Sequence, residues 1–398
     1  MRITSTHRRV TVLLAAAVTA VGTGTGALTH RTAAGSTATT VASSTERSPA
    51  HPSLIVTDAE SATARVVDTQ QRRVSGSFPL AAVASAYSGS TQRYGYAVQA
   101  DGDLTSVIDT TARVPTMLGN SVVGQRPIHF VAHGGRIALF HDESGSATVV
   151  RESTLDRPRP RSWTFETGRE HHGVAVPMDR RVLLSMPNPA DEEDELPVGI
   201  EVRTLRDRVL QRFPDCAGLH GEASSGDLVA FGCANGVLVL EQHGDHFHSH
   251  FIDAPQGTDG RRVGTLRAAD GVPFMLGNWG PDALVRVGPE AEKLQPIALP
   301  GTSRSFDLHP AGGGTAIVLA TDGQLHAVEA LSGDVLASVP VVAEFGTSGT
   351  RPALVVGDRF AYVSDPRTGR VTEVSLPDLR VTARIPVGGA PASLALVD

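Results

Sequence analysis

Short runs of alternating apolar and polar residues, broken by Gly, Asp, Asn and Pro, recur along this chain from about residue 53. Four runs begin alike, at Ile128-His129-Phe130-Val131, His171-His172-Gly173-Val174, Leu219-His220-Gly221-Glu222 and Ser305-Phe306-Asp307-Leu308. The runs return roughly every 40 to 50 residues, with no convincing amphipathic helix between them. Self-similarity at such a period is typical of a propeller, whose four-stranded blades need neighbours to bury their faces.

We therefore predict an all-β fold, a β-propeller of eight blades, with seven as the fallback if the weak unit at 82–115 is not a blade. Residues 392–398 have the pattern of an inner strand without a blade of its own, and the first blade, starting at Ser53, lacks one. Pairing of this C-terminal strand with the N-terminal blade would close the ring and remove its open edge. A two-domain β-sandwich fits less well, because no linker divides the chain after residue 52.

The N-terminus has the features of an export signal. Arg2, Arg8 and Arg9 precede an apolar run at 10–21, which is shorter than the ~20 residues that span a membrane. An Ala/Ser/Thr-rich stretch without hydrophobic period follows. We predict a secreted, extracytoplasmic protein with no stable membrane insertion after signal cleavage; an uncleaved anchor is the alternative. The predicted division is a signal peptide at 1–30, a flexible linker at 31–52 and the propeller at 53–398.

Charge and motifs restrict the function. The formal charge of −7 argues against nucleic acid, whose binders need a basic face. The sequence has no Gly-x-Ser-x-Gly nucleophile elbow, no phosphate-cradling Gly loop and no His-Glu-x-x-His helix. We therefore predict that the protein is not an enzyme, and we expect a monomer.

Cys216 and Cys233 are the two cysteines. In an oxidising compartment a pair is expected to form a disulfide, and this spacing fits neighbouring strands of one sheet. The bond would contribute about 3 kcal/mol by the chain-entropy estimate and brace the segment that carries His220. The alternative is a pair of thiolate ligands for zinc.

The inner strands of a propeller surround a channel, so equivalent positions in different blades lie at one height. Aligning the predicted inner strands, which include His172 to Val176 and His220 to Ala223, puts His129, His172, His220 and Asp307 in register. Three imidazoles and a carboxylate suit tetrahedral zinc, and we predict a channel Zn²⁺ site from these four residues. The alternative interpretation is that the histidines satisfy hydrogen bonds at strand ends.

Neighbouring residues extend this hypothesis. His133 and Glu222 share strand parity with His129 and His220, so they are alternate ligands or partners behind the ligands. His171 adjoins the site as a further alternate, although its side chain should point into the blade.

A second histidine cluster is independent of the first. It places four imidazoles within eight residues, and alternation puts the last three on one strand face: His243, His246, His248 and His250. Histidine-rich tracts are compositional metal signals, so we predict a weaker, exposed surface site. A solvated polar hairpin is the alternative.

The chain resembles the exported zinc metallochaperones of the AztD family from about residue 53 to its end. The resemblance rests on segments 126–133, 171–177, 216–223, 229–237, 277–284 and 388–391, which read RPIHFVAH, HHGVAVP, CAGLHGEA, VAFGCANGV, GNWGPDAL and GGAP. It implies a β-propeller that binds zinc and delivers it to the periplasmic or extracellular solute-binding protein of a zinc ABC importer.

Two departures accompany this resemblance. The family pattern includes an Asp/His-rich segment near the N-terminus, whereas His51 is the single Asp or His residue in 31–52 of this chain. The pattern also includes a His/Asp-rich loop before the Arg-Pro-x-His-Phe motif, whereas residues 110–125 contain no histidine. The competing hypotheses are a metal-dependent propeller hydrolase or lactonase, with Glu222 as general base, and a metal-free protein-interaction propeller.

Overall fold

Eight antiparallel sheets of four strands follow one another along the chain in the computed structural model. The structure describes residues 52–112, 114–191, 195–258, 260–346 and 348–397, so the predicted signal peptide and all of the predicted linker except Pro52 lie outside it. The helical residues in these ranges are two 3-10 turns, Ala100–Gly102 and Glu152–Thr154. The all-β prediction is confirmed.

The blades are numbered in chain order. Blade 1 contains β1 (Ser53–Asp58), β2 (Thr63–Asp68), β3 (Arg73–Pro79) and the last strand, β32 (Pro391–Val397). Blade 2 contains β4 (Ser85–Ser88), β5 (Tyr94–Gln99), β6 (Leu104–Asp109) and β7 (Thr116–Val123). Blade 3 contains β8 (Pro127–His133), β9 (Arg136–His141), β10 (Ser146–Arg151) and β11 (Ser162–Glu166). Blade 4 contains β12 (Ala175–Met178), β13 (Arg181–Met186), β14 (Gly199–Thr204) and β15 (Val209–Phe213).

The second half of the ring repeats this order. Blade 5 contains β16 (Glu222–Ser225), β17 (Leu228–Cys233), β18 (Gly236–His243) and β19 (His246–Asp253). Blade 6 contains β20 (Leu266–Arg267), β21 (Met275–Asn278), β22 (Ala283–Val287) and β23 (Gln295–Ala298). Blade 7 contains β24 (Ser303–Leu308), β25 (Thr315–Ala320), β26 (Gln324–Glu329) and β27 (Val335–Pro340). Blade 8 contains β28 (Leu354–Val356), β29 (Phe360–Asp365), β30 (Arg370–Ser375) and β31 (Arg380–Pro386).

The hydrophobic core consists of eight clusters, and each lies between two adjacent blades. Strand β1 shows why both faces of a blade are apolar. Successive side chains of a strand point to opposite faces, so Leu54 and Val56 pack towards blade 8 while Ile55 packs towards blade 2. Burial of each such side chain contributes about 1.5–3 kcal/mol, which makes every blade depend on both neighbours.

The ring closes as predicted. β32 pairs with β1 in an antiparallel register that joins Ser53 to Val397. At the other end of this seam, buried Asp58 accepts hydrogen bonds from Arg65 at 2.9 Å and from the backbone N–H of Ala390 at 3.3 Å. Burial raises the pKa of Asp58, but these donors, together with the backbone N–H groups of Glu60 and Ser61, outweigh it and the net pKa is lowered. The carboxylate therefore stays charged and stabilises the junction between β1 and β32.

The eight-blade prediction is confirmed, because the weak unit at 82–115 belongs to a complete blade that ends at Val123. Several inner strands begin later than predicted, among them β12 at Ala175 and β16 at Glu222. Gly221 has a φ of +80°, which interrupts extended backbone just before β16. His172 and His220 consequently lie in loops that lead into the inner strands.

Within the ranges that the structure covers, helical segments of the length and apolarity needed to cross a membrane are absent.

Candidate metal centre

Three histidines from consecutive blades converge at the channel. His129 lies on β8, His172 in the loop before β12 and His220 in the loop before β16. One ring nitrogen from each lies within 4.8 Å of the other two, and among the described residues these histidines alone form such a group. The predicted alignment of blades 3, 4 and 5 thus brings the three imidazoles together.

The nitrogen spacing fits a single metal ion. The Nε2 atoms of His129 and His172 are 3.0 Å apart. Zinc–nitrogen bonds of 2.0–2.1 Å in tetrahedral array place two ligand nitrogens about 3.3 Å apart. The ring centroid of His220 lies 5.1 Å from that of His172 and 5.8 Å from that of His129. Small side-chain shifts would bring all three nitrogens onto one ion.

Two of the imidazoles are held through their Nδ1 atoms. The Nδ1 of His172 lies 2.6 Å from Oδ2 of Asp142, and the Nδ1 of His220 lies 2.7 Å from the backbone oxygen of Gly264. A carbonyl oxygen only accepts, so Nδ1 of His220 donates and its Nε2 keeps a lone pair. A carboxylate or carbonyl behind a histidine commonly fixes the tautomer that binds metal. The surroundings thus leave Nε2 as the ligand atom.

The third imidazole is paired with a carboxylate. Nδ1 of His129 lies 3.5 Å from Oε2 of Glu222. Burial lowers the pKa of His129, but the hydrogen bond and charge of Glu222, together with the charge of Asp142, outweigh it and raise the pKa. For Glu222, burial raises the pKa and the contact with His129 lowers it, with a net lowering. The metal-free pair therefore favours a charged imidazolium beside a carboxylate.

His220 behaves differently. Its pKa is lowered, mainly by burial and further by the charges of His129 and His172. The hydrogen bond to the Gly264 carbonyl acts in the opposite direction but is outweighed. A neutral imidazole is the form that coordinates a metal ion. Protons therefore compete with a metal ion less strongly at His220 than at His129.

The fourth predicted ligand, Asp307, does not join this group. It lies on β24 of blade 7, and its Oδ1 accepts the backbone N–H of Leu308 at 2.9 Å. Burial raises its pKa to about 6, opposed by the charge of Arg267. Among the described residues, the group that could hold a metal ion therefore consists of the three histidines, without Asp307.

Of the three alternate residues, Glu222 alone has a hydrogen bond or ion pair with a histidine of the channel group in the described structure. Glu222 lies behind His129, and Nδ1 of His133 lies 3.2 Å from Oγ of Ser224. His171 is 4% exposed, and its Nδ1 and Nε2 lie 3.0 Å from the carbonyl oxygen of Arg169 and 2.8 Å from Oγ of Ser185. Its side chain points into the blade as expected, and both ring nitrogens already have partners.

The disulfide braces the loop that carries His220. Cys216 and Cys233 are bonded, as predicted, although Cys216 lies in the connection before β16 instead of in a strand. Beside the bond, the backbone N–H of His220 donates to the carbonyl of Gly232 at 2.9 Å. The covalent link and this hydrogen bond together fix where the imidazole leaves the backbone.

The second histidine cluster forms a separate hairpin. β18 and β19 meet at a turn after His243, and His246, His248 and His250 are exposed on β19. Nε2 of His250 lies 2.7 Å from the carbonyl oxygen of Ala291. These side chains belong to the outer strands of blade 5 and are distinct from the channel group.

Sequence reasoning missed two of the groups that hold the histidines. Asp142 directly follows β9 in blade 3, and nothing in its local sequence links it to His172 of blade 4. In blade 6, the aligned position is Gly264, which offers no side chain but supplies a backbone oxygen. Alignment of the inner strands could have pointed to that backbone, since a glycine there leaves its carbonyl accessible.

Comparisons with known proteins agree with this architecture. The chain is 31% identical over 331 residues to the protein named zinc chaperone AztD of Citrobacter koseri, covering 82% of this chain and 78% of that protein. A scan against protein-family models found no match.

Solved structures give the same result. The crystal structure of Citrobacter koseri AztD and its apo form each superpose with a TM-score of 0.82 at 27% identity, covering 87% of this chain and 97% of theirs. The dihydro-heme d1 dehydrogenase NirN superposes with a TM-score of 0.63 at 12% identity, over 88% of this chain and 75% of that one. That last likeness concerns the fold alone.

Proposed function

Because the chain belongs to the AztD family of zinc chaperones, which are not enzymes, we propose that it binds Zn²⁺ through His129, His172 and His220 and passes it on outside the cytoplasm. The observation that carries this proposal is the convergence of one ring nitrogen from each of the three histidines, whose rings contact Asp142, Glu222 and the Gly264 carbonyl through their Nδ1 atoms.

Zinc is the cargo that fits these donors. Imidazole nitrogen is a borderline ligand that suits zinc, and the three rings come from separate blades of a closed ring, so their spacing is largely set before binding. Three protein ligands with an open fourth position retain zinc yet let an incoming ligand attack it. A carrier needs that combination, because cargo enclosed by four protein ligands is released slowly.

Glu222 argues for carriage over hydrolysis. A general base for a metal-bound water would face the metal ion from the open side. Here the carboxylate of Glu222 contacts the far nitrogen of His129, 3.5 Å away, and is thereby committed to orienting a ligand.

Loading and release are coupled to a proton. Glu222 raises the pKa of His129, so protons compete with Zn²⁺ for this ring more strongly than they do for an unpaired imidazole. Acid therefore competes with zinc for this ring, and we expect zinc binding to weaken as pH falls.

The receiving partner we propose is the solute-binding protein of a zinc ABC importer, located outside the cytoplasm. The disulfide between Cys216 and Cys233 supports an oxidising compartment, and the predicted signal peptide supports export. Direct transfer would use the open coordination position, where a ligand of the partner would bind the zinc ion before the three histidines release it.

The first test is zinc stoichiometry by elemental mass spectrometry on the purified chain, before and after dialysis against a chelator. We expect one tightly held zinc per chain, lost in His172→Ala and in His220→Ala while the circular dichroism spectrum and melting temperature stay close to wild type. Tight zinc in either variant would contradict the assignment of the ligands.

The second test concerns delivery. Zinc-loaded protein is mixed with the metal-free solute-binding protein of a zinc importer from the same organism, and zinc is counted in each after rapid separation. We expect the transfer rate to rise with acceptor concentration and to exceed the rate of capture by a small chelator. Equal rates, independent of acceptor concentration, would mean that zinc dissociates before it is rebound and would exclude direct delivery.

A further inference from the structure

The hairpin of β18 and β19 carries a second set of metal-ligand side chains on one face. Its register pairs Glu241 with His248 and His243 with His246. Directly paired residues, and residues two apart on a strand, share a face of the sheet, so all four side chains project together. Phe247, on the opposite face, is 3% exposed and packs into the core between blades 4 and 5. The packed face therefore fixes which side chains face solvent.

Contacts already exist within this set. The ring centroids of His243 and His248 lie 4.9 Å apart, and Nε2 of His243 lies 3.2 Å from Oε2 of Glu241. Glu241 and His243 have side chains that are 52% and 53% exposed. The carboxylate and the two rings thus crowd a small area of surface that water and ions reach freely.

The structure changes which residues of the hairpin are candidate metal ligands. His250 is held by its contact with the carbonyl of Ala291, so its Nε2 donates there and is not a ligand. Asp245, at the turn, is paired with Arg181 of blade 4. Glu241, which the histidine pattern did not include, enters because β18 places it opposite His248.

We propose that Glu241, His243, His246 and His248 form a second, exposed site for a divalent cation of the zinc class. Imidazole and carboxylate are the donors that such ions take. The ligand atoms here must turn towards one ion, unlike those of the channel group, and exposed side chains make such turns within nanoseconds. Ordering them costs conformational entropy, so this site binds more weakly than the channel site and exchanges faster.

The two sites occupy different parts of the molecule. His220 precedes the inner strand of blade 5, whereas the hairpin turn joins its two outermost strands. Antiparallel order puts that turn at the end of the blade away from His220. The proposal therefore does not rest on the channel site or on zinc delivery, and either site can be removed without the other.

The test is calorimetric titration of the chelator-treated full chain with Zn²⁺, for wild type and four variants. Wild type should show a tight and a weak class of sites. His243→Ala/His248→Ala should lose the weak class and keep the tight one. Glu241→Gln replaces a proposed carboxylate ligand by an uncharged amide and should weaken the weak class by at least about tenfold, since loss of even a partner behind a ligand typically costs that much. His172→Ala should lose the tight class and keep the weak one.

His250→Ala is the matched control, since it removes an exposed imidazole from the same strand without removing a proposed ligand. It should keep both classes. A single class in wild type, or a weak class that persists in His243→Ala/His248→Ala, would overturn the proposal. Loss of the weak class in His250→Ala would also overturn it, because the binding would then follow histidine content and not the geometry of the hairpin face.

Discussion

Asp142 should set the zinc affinity of the channel site although it never touches the metal ion. Its Oδ2 lies 2.6 Å from Nδ1 of His172, and its other oxygen is buried with no hydrogen-bond partner among the described residues. Loss of such an acceptor typically costs 10–100-fold in metal affinity, or about 1.4–2.7 kcal/mol. We therefore expect Asp142→Ala to weaken zinc binding by that factor.

Two companion variants separate the hydrogen bond from the charge. Asp142→Asn keeps an oxygen that accepts from His172 but loses the negative charge, so its loss should be smaller than that of Asp142→Ala. Glu143→Ala removes a neighbouring carboxylate that is 60% exposed and lies 3.8 Å from Arg126. Because charges near the surface are screened, it should leave zinc affinity within about twofold of wild type.

The assay is competition for Zn²⁺ against a chromogenic chelator of known affinity, at one pH and ionic strength, with the melting temperature of each variant as a fold control. The reasoning is refuted if Asp142→Ala, still folded, binds zinc within twofold of wild type. It is also refuted if Glu143→Ala weakens binding as much as Asp142→Ala, because a general electrostatic effect would then suffice.

Three further predictions concern stability and the loop of the site. Reduction of the bond between Cys216 and Cys233 should lower the free energy of unfolding by about 3 kcal/mol, measured in urea with and without reductant, and an unchanged midpoint would contradict this. The pKa of Asp307 is raised from 3.8 to about 6, so the folded state holds the proton more tightly and stability should fall by up to about 3 kcal/mol as pH rises from 4 to 6. Urea titrations with chelator present should show this slope in wild type and not in Asp307→Asn. Gly221 has a φ of +80°, and a Cβ there would lie 2.6 Å from the Gly264 oxygen, so Gly221→Ala should displace His220 and weaken zinc binding; unchanged affinity would mean that the loop adapts.

The sequence allowed the ring to be predicted because a blade is a local unit. Alternation along strands such as β1 reports burial on two faces, and turn residues mark where each strand ends. Closure of the ring could also be predicted from the sequence, since the strand that ends at Val397 had no other partner within the repeat. The disulfide could be predicted because the chain has two cysteines and its sequence predicts export.

The site was predicted less completely, for identifiable reasons. Alignment of the blades located His129, His172 and His220, because a propeller brings equivalent positions to one height. The alignment does not show how far a side chain extends across the channel. Asp307, two blades beyond His220, was therefore aligned with the site, although the structure does not bring it into the group. The groups behind the rings were hidden, since a backbone carbonyl such as that of Gly264 has no sequence signature.

The closure of blade 1 also constrains when the protein can fold. Strands β1 to β3 are synthesised before every other strand of the described ring, yet their inner partner, β32, follows all of them. At 5–20 residues per second, about 20 to 70 seconds separate Asp58 from Pro391 on the ribosome. During that interval β1 has an unpaired edge, and the ring that positions the histidines does not yet exist. On the predicted export route, the chain would therefore cross the membrane before its ring closes, and the proposed zinc site would form only after β32 has joined β1.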